Sequence, residues 1–173
     1  MTYNLGEMLT HRAYLSPKHE GFIGEGYCYT YEEVNNRSDR IGSWLIQAGI
    51  NSGDRVAVYG KNTEALATAI FATSKADGIA VVLNWRLQVE ELIYIINDSG
   101  ATALFYDVAF TSQVEELRLK TGIGIFICHG DTEGDPTYAR ILKDDSLPLC
   151  QTAQRRGSDT AKQYWKGFKV QTS

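Results

Sequence analysis

Residues 53–107 read GDRVAVYGKNTEALATAIFATSKADGIAVVLNWRLQVEELIYIINDSGATALFYD. Three runs, at 55–59, 79–83 and 102–106, apolar apart from Arg55 and Thr102 at their first positions, are separated by two longer stretches whose apolar residues recur at helical spacing. Each run is uninterrupted, without polar alternation, as in strands covered on both faces. Strand–helix–strand units of this size join parallel strands by right-handed crossovers. The stretch therefore predicts an α/β fold: a doubly wound, mainly parallel sheet with helices on both faces.

The flanking sequence extends the pattern. Residues 30–49 give the clearest helix, with Thr30 and Glu33 as a capping box, Val34, Ile41, Leu45 and Ala48 on one face, and Gly49 ending it. Asn62 or Thr63 caps the next helix, which closes near Gly78. A helix over "TSQVEELRLKTG" is expected to start with a box of Ser112 and Glu115, and "IGIFIC" supplies a fourth core strand. At the front, "NLGEMLTHRAYL" places Leu5, Met8, Leu9 and Leu15 near one helical face, with Asn4 and Glu7 as its cap. "GFIGEGYCYTY" predicts a small hairpin turning at Gly24–Gly26. Beyond Cys128 the sequence reads as loop. The expected division is an α/β unit over residues 1–145, which reads as half of an α/β protein, and a polar basic tail over 146–173.

Composition narrows the function. Apolar residues make up 43% of the 173, which suits a folded domain. No run approaches the length of a membrane span, and the first residues lack a basic start followed by an apolar stretch. A cytoplasmic protein without a membrane span is the expectation. Residues 1–149 hold 12 Lys/Arg against 20 Asp/Glu, a net of −8, which argues against nucleic acid as a partner. The tail holds five basic residues and one acid. Cys28, Cys128 and Cys150 show no C-x-x-C spacing and read as reduced thiols.

A search for catalytic patterns returns little. There is no G-x-x-x-x-G-K loop, and Gly122 and Gly124 precede a strand instead of following one. Asp131, Glu133 and Asp135 cluster in a turn but lack the glycine and distal Glu of a calcium loop. His129 stands beside Cys128 without a second ligand pair, and His11 and His19 have no nearby nucleophile. From the residues alone, no catalytic, cofactor-binding or metal-binding residue is assigned.

One ordered series is more specific. Thr30-Tyr31-Glu32-Glu33-Val34, Gly49 with Gly53 to Ala57, the Asn62-led helix, Leu83-Asn84-Trp85-Arg86-Leu87 with Glu91-Leu92, and Asp98 to Ala101 follow one another over about residues 4–130. This series resembles the N-terminal part of the AMP-forming acyl-CoA synthetases, within the adenylate-forming enzyme superfamily. The resemblance implies a two-step ligase using ATP, magnesium and coenzyme A, in which a carboxylate is adenylated and then passed to a thiol; aryl- or amino-acid-activating relatives share the first step. It also implies a Ser/Thr/Gly-rich phosphate loop, and no such run occurs among the 173 residues. The expectation is therefore a fragment that stops before that loop, inactive alone and binding no cofactor itself. Val82 stands where the family usually has Pro, which bears on the backbone entering "LNWRL". Asn84 and Arg86 are expected in a loop at the carboxyl end of a strand, near where substrates would lie; as plain structure, the reading favoured because the family's chemistry lies elsewhere, Asn84 ties its turn and Arg86 pairs with a carboxylate. The competing expectation is an interaction module that forms a homodimer through exposed apolar surface or an edge strand.

Overall fold

The computed structural model describes residues 4–147. The tail from residue 148 onward, with Cys150, lies outside the described residues. The first helix, α1 (Leu5–Leu15), is followed by the hairpin β1 (Glu20–Gly24) and β2 (Tyr27–Thr30), and then by α2 (Tyr31–Gln47). The strand–helix series runs β3 (Arg55–Tyr59), α3 (Glu64–Lys75), β4 (Ile79–Leu83), α4 (Val89–Ser99), β5 (Ala101–Asp107), α5 (Thr111–Lys120) and β6 (Ile125–His129), and ends in the short α6 (Tyr138–Leu142).

Both forward capping boxes form. The Glu7 amide donates to Asn4 Oδ1 at 2.8 Å and the Thr30 amide to Glu33 Oε2 at 2.7 Å, so orphan N–H groups at both helix starts find acceptors. Thr63, not Asn62, caps α3, accepting from the Leu66 amide at 3.3 Å. Gly26 turns the hairpin at φ +80° and Gly49 ends α2 at φ +109°, conformations that glycine adopts without a Cβ penalty.

β3, β4, β5 and β6 form one parallel sheet in the order β4-β3-β5-β6. α2, α3 and α6 cover one face, where Ile41, Leu45, Val58, Phe105 and Ile127 are buried. α4 and α5 cover the other, over Ala57, Leu92, Leu104, Val114 and Leu117. The doubly wound arrangement predicted from the sequence is thus present, with the antiparallel hairpin as a separate two-stranded sheet.

Four local expectations are corrected. α1 buries Gly6, Leu9 and Ala13, while Leu5, Met8 and Leu15 are exposed; the helix seats its small residue against Lys75, where a Cβ on Gly6 would lie 2.9 Å from the Lys75 amide nitrogen. β4 is an edge strand, so it is not buried on both faces, and Ile79 and Val82 are exposed. Ser112 and Glu115 form no capping box: a 3-10 turn over Val108–Phe110, capped by Asp107 Oδ1 accepting from Ala109 at 2.9 Å, feeds straight into α5. The region after Cys128 contains α6, capped by Thr137 and pinned where the Cys128 amide donates to the Pro136 carbonyl at 2.9 Å. Val82, in place of the family's usual Pro, sits in regular β4 pairing opposite Val58.

Candidate functional site

A parallel doubly wound sheet offers its ligand crevice beyond the carboxyl ends of its strands, where successive connections diverge. Here β3 feeds α3 on one face and β5 feeds α5 on the other, so the divergence lies between β3 and β5. The two strand ends meet closely. A Cβ on Gly60 would lie 3.1 Å from Asp107 Cβ and 3.3 Å from Leu66 Cδ1, so a side chain there would have to displace one of them. Asp107 Oδ2 faces His129 Nδ1 at 3.8 Å across the ends of β5 and β6. Gly130 turns at φ +126° against Val108, a position that only a residue without Cβ can hold.

The end of β4 supplies the other half of the rim. Asn84 Oδ1 accepts from the Arg86 amide at 3.0 Å and the Asn84 carbonyl from Leu87 at 3.1 Å, closing an Asx-type turn. The Arg86 guanidinium lies 4.6 Å from the Trp85 ring centroid, and Lys61 Nζ, from the β3 end, lies 5.8 Å from the same ring. Among the described residues Arg86 forms no ion pair, so the expected carboxylate partner is absent from this set. Trp85 in turn stands 6.4 Å from Phe110, which packs 4.8 Å from Tyr59. The Tyr59 hydroxyl is fully buried and finds no hydrogen-bond partner among the described residues, and burial raises its pKa. The rim therefore pairs two cations on an indole on the β4 side with an acid and an imidazole on the β6 side.

The remaining candidates from the sequence fall elsewhere. Asp135 leaves the acidic turn to accept from Tyr106 Oη at 2.8 Å and Arg118 Nη2 at 2.6 Å, while Arg118 lies 3.7 Å over Phe126. Cys128 is buried and its thiol pKa is raised chiefly by that burial, whereas Cys28 is exposed. Among the described residues no three His, Cys, Asp or Glu side chains come together as metal ligands.

Two buried charged clusters have no counterpart in the sequence reading. Glu64 accepts from Arg37 Nε at 2.9 Å, Thr68 Oγ1 at 2.8 Å and Tyr138 Oη at 2.6 Å, and Arg37 also lies 4.2 Å over the Tyr29 ring. Burial alone would raise the Glu64 pKa, but the three donors outweigh it and hold the carboxyl below its ordinary value. Lys75, 1% exposed, donates from Nζ to Asp39 Oδ1 and Thr10 Oγ1, each at 2.7 Å, and to Asn35 Oδ1 at 2.9 Å. Burial raises the Asp39 carboxyl despite that partner. A partial signal was available: Glu64, Thr68 and Lys75 fall on one side of α3, polar residues on a helix otherwise rich in alanine, although nothing local marks their partners.

Comparison with known proteins is consistent with this architecture. Residues 9–161 match the family described as "AMP-binding enzyme". The fatty acid–[acyl-carrier-protein] ligase ScoC of Streptomyces coeruleorubidus is 37% identical over 101 residues, 58% of this chain and 20% of that protein. The feruloyl-CoA synthase of an Amycolatopsis species is 38% identical over 102 residues, 59% of this chain and 21% of its own length. The chain thus spans about a fifth of the length of these curated relatives. Among solved structures, the N-terminal domain of FACL13 from Mycobacterium tuberculosis superimposes with a TM-score of 0.78 at 25% identity, over 91% of this chain and 40% of that one. A benzoate CoA ligase from Burkholderia xenovorans LB400 shares the fold, with a TM-score of 0.78 at 22% identity, over 91% of this chain and 31% of that one.

Proposed function

This chain belongs to the AMP-binding enzyme family, and from that membership we propose that it is the N-terminal portion of an ATP-dependent carboxylic acid–CoA ligase, inactive by itself. The family match across residues 9–161, which takes in nearly all of the described fold, carries this reading. In the reaction of such a ligase, a carboxylate oxygen attacks the α-phosphorus of ATP and pyrophosphate leaves. The thiolate of coenzyme A then attacks the acyl carbon of the mixed anhydride, and AMP leaves. Catalysis consists largely of holding charged groups in line and stabilising the charge that develops on phosphorus-bound oxygens.

The part played by this portion is to supply the sheet and its carboxyl edge. We place Asn84 and Arg86 beside the substrate region: Asn84 holds the turn and Arg86, stacked on Trp85 and without a carboxylate partner among the described residues, is free to face an anionic group. The phosphate-gripping loop, the magnesium ligands and the residues that select the acid are not assigned to this chain. The purified chain, incubated with ATP, magnesium, coenzyme A and a panel of fatty and aromatic acids, should release pyrophosphate only at the background rate. Acid-dependent pyrophosphate release above background would overturn the inactivity, and the acid responsible would name the substrate class.

A further inference from the structure

The two edges of the parallel sheet are finished differently. At β6, the Cys128 amide donates to the Pro136 carbonyl at 2.9 Å and Cys128 bridges Thr137, so the returning chain covers part of that edge. At β4, no strand among the described residues pairs with the outer side. Natural edge strands are usually blunted by lysine, proline or a bulge. β4 has none of these: its sequence is IAVVL, and its pairing with β3 runs unbroken from Arg55–Ile79 to Tyr59–Leu83. Ile79 is 50% exposed and Val82 57%.

We infer that the outer edge of β4 pairs antiparallel with β4 of a second copy of this chain, about a two-fold axis at Val81, joining the described strands of both copies into one continuous eight-stranded sheet. The axis is set by the sequence. With Val81 opposite itself, Ile79 faces Leu83 of the second copy and Ala80 faces Val82, so every cross-strand pair is apolar. A shift of register would place Gly78 or Asn84 into the apolar pairs. The ends are complementary in charge. Asp77 precedes the strand and Arg86, which has no ion-pair partner among the described residues, follows it; the two-fold brings the Asp77 end of one copy to the Arg86 end of the other.

The flanking surface supports the same occupant. A local two-fold between antiparallel strands stands normal to the sheet, so like faces adjoin. Leu83 belongs to the core under α4, and Ile79 shares its side of the strand. The exposed Ile79 of the second copy then lies beside Leu83, near a mostly apolar groove of about 400 Å³ lined by Leu87, Glu90, Glu91, Tyr94 and Ile95. On the opposite face, the exposed Val82 covers Ala80 of the other copy.

Sedimentation and light scattering of the full chain, from micromolar to millimolar concentration, should show a reversible monomer–dimer equilibrium. Val82→Lys, at an exposed position, should retain the wild-type circular dichroism and raise the dimer dissociation constant by at least ~100-fold, because an ammonium must be desolvated at the seam. Ile79→Lys provides the same reading if the first variant is poorly folded. A monomer across the whole range would overturn the proposal, as would a dimer unchanged by both lysine substitutions. Neither result bears on the pyrophosphate assay above.

Discussion

Replacing Glu64 with Ala tests whether the buried cluster around it holds α2, α3 and α6 together on one face of the sheet. The carboxylate is 8% exposed and accepts from α2 through Arg37, from its own helix through Thr68 and from α6 through Tyr138. Removing it leaves a guanidinium and two hydroxyls without their acceptor. Breaking a buried ion pair from one side costs roughly 3–5 kcal/mol, and the partial exposure of Arg37 puts this case at the lower end, about 3 kcal/mol. For a chain of this size that corresponds to a melting temperature lowered by roughly 6–12 °C. Urea unfolding followed by circular dichroism measures the free energy directly. Glu64→Gln separates charge from shape and should cost less, about 1–2 kcal/mol. Linkage adds a second readout. The folded state holds the Glu64 carboxyl below its ordinary 4.5, so this contribution is fully present above pH 4.5 and is lost as pH falls through the folded value. The gap between wild type and Glu64→Gln should therefore narrow on acidification. A Glu64→Ala variant within about 1 kcal/mol of wild type, or a gap indifferent to acid pH, would show that the buried carboxylate does not fasten these helices.

Two other substitutions probe the interior. Tyr59→Phe deletes a buried hydroxyl that has no partner among the described residues, and should raise stability by about 1 kcal/mol in the same urea experiment; a loss of stability would show that the hydroxyl finds an acceptor. Lys75→Met strands the Asp39 carboxylate and should cost about 3 kcal/mol, most of it recovered when Asp39→Asn is added, because a buried pair is worse half-removed than wholly neutralised. Additive losses in that double-mutant cycle would separate the two residues energetically.

Much of the architecture was legible from local signals. Thr30–Glu33 and Asn4–Glu7 announced their helix starts because a capping box is a contact three residues long, and the runs at 55–59 and 102–106 announced central strands because both faces are covered. The run at 79–83 gave the same signal and yet forms an edge, since strand order depends on which crossover passes over which neighbour. α6 escaped detection because five residues are too few to show a period; its position is set by Thr137 and by a hydrogen bond back to β6. The pairings within the ionic clusters were illegible for a different reason. Lys75 and Thr10 are 65 residues apart, and Arg37 and Glu64 are 27 apart, so each charge in isolation looks like an ordinary solvated side chain. At the carboxyl edge, the Asn84 turn was foreseeable from Asx chemistry, whereas the convergence of Lys61 and Arg86 on Trp85 needed the β3–β4 register.

The way α1 is fastened has a consequence for biosynthesis. Its anchors are the Asn4 and Gly6 bonds to Ser74 and the Lys75 ammonium on Thr10, spanning 70, 68 and 65 residues. At ordinary translation speeds of ~5–20 residues per second, α1 leaves the ribosome roughly 3–14 s before its docking site exists. During that interval α2 is made but the α3 side of the seat for Leu9 and Ala13 is missing, and a short, half-docked helix is barely stable in water. The first segment to be synthesised is thus among the last to be secured, and a nascent chain stalled before residue 74 would present an open amphipathic end to chaperones.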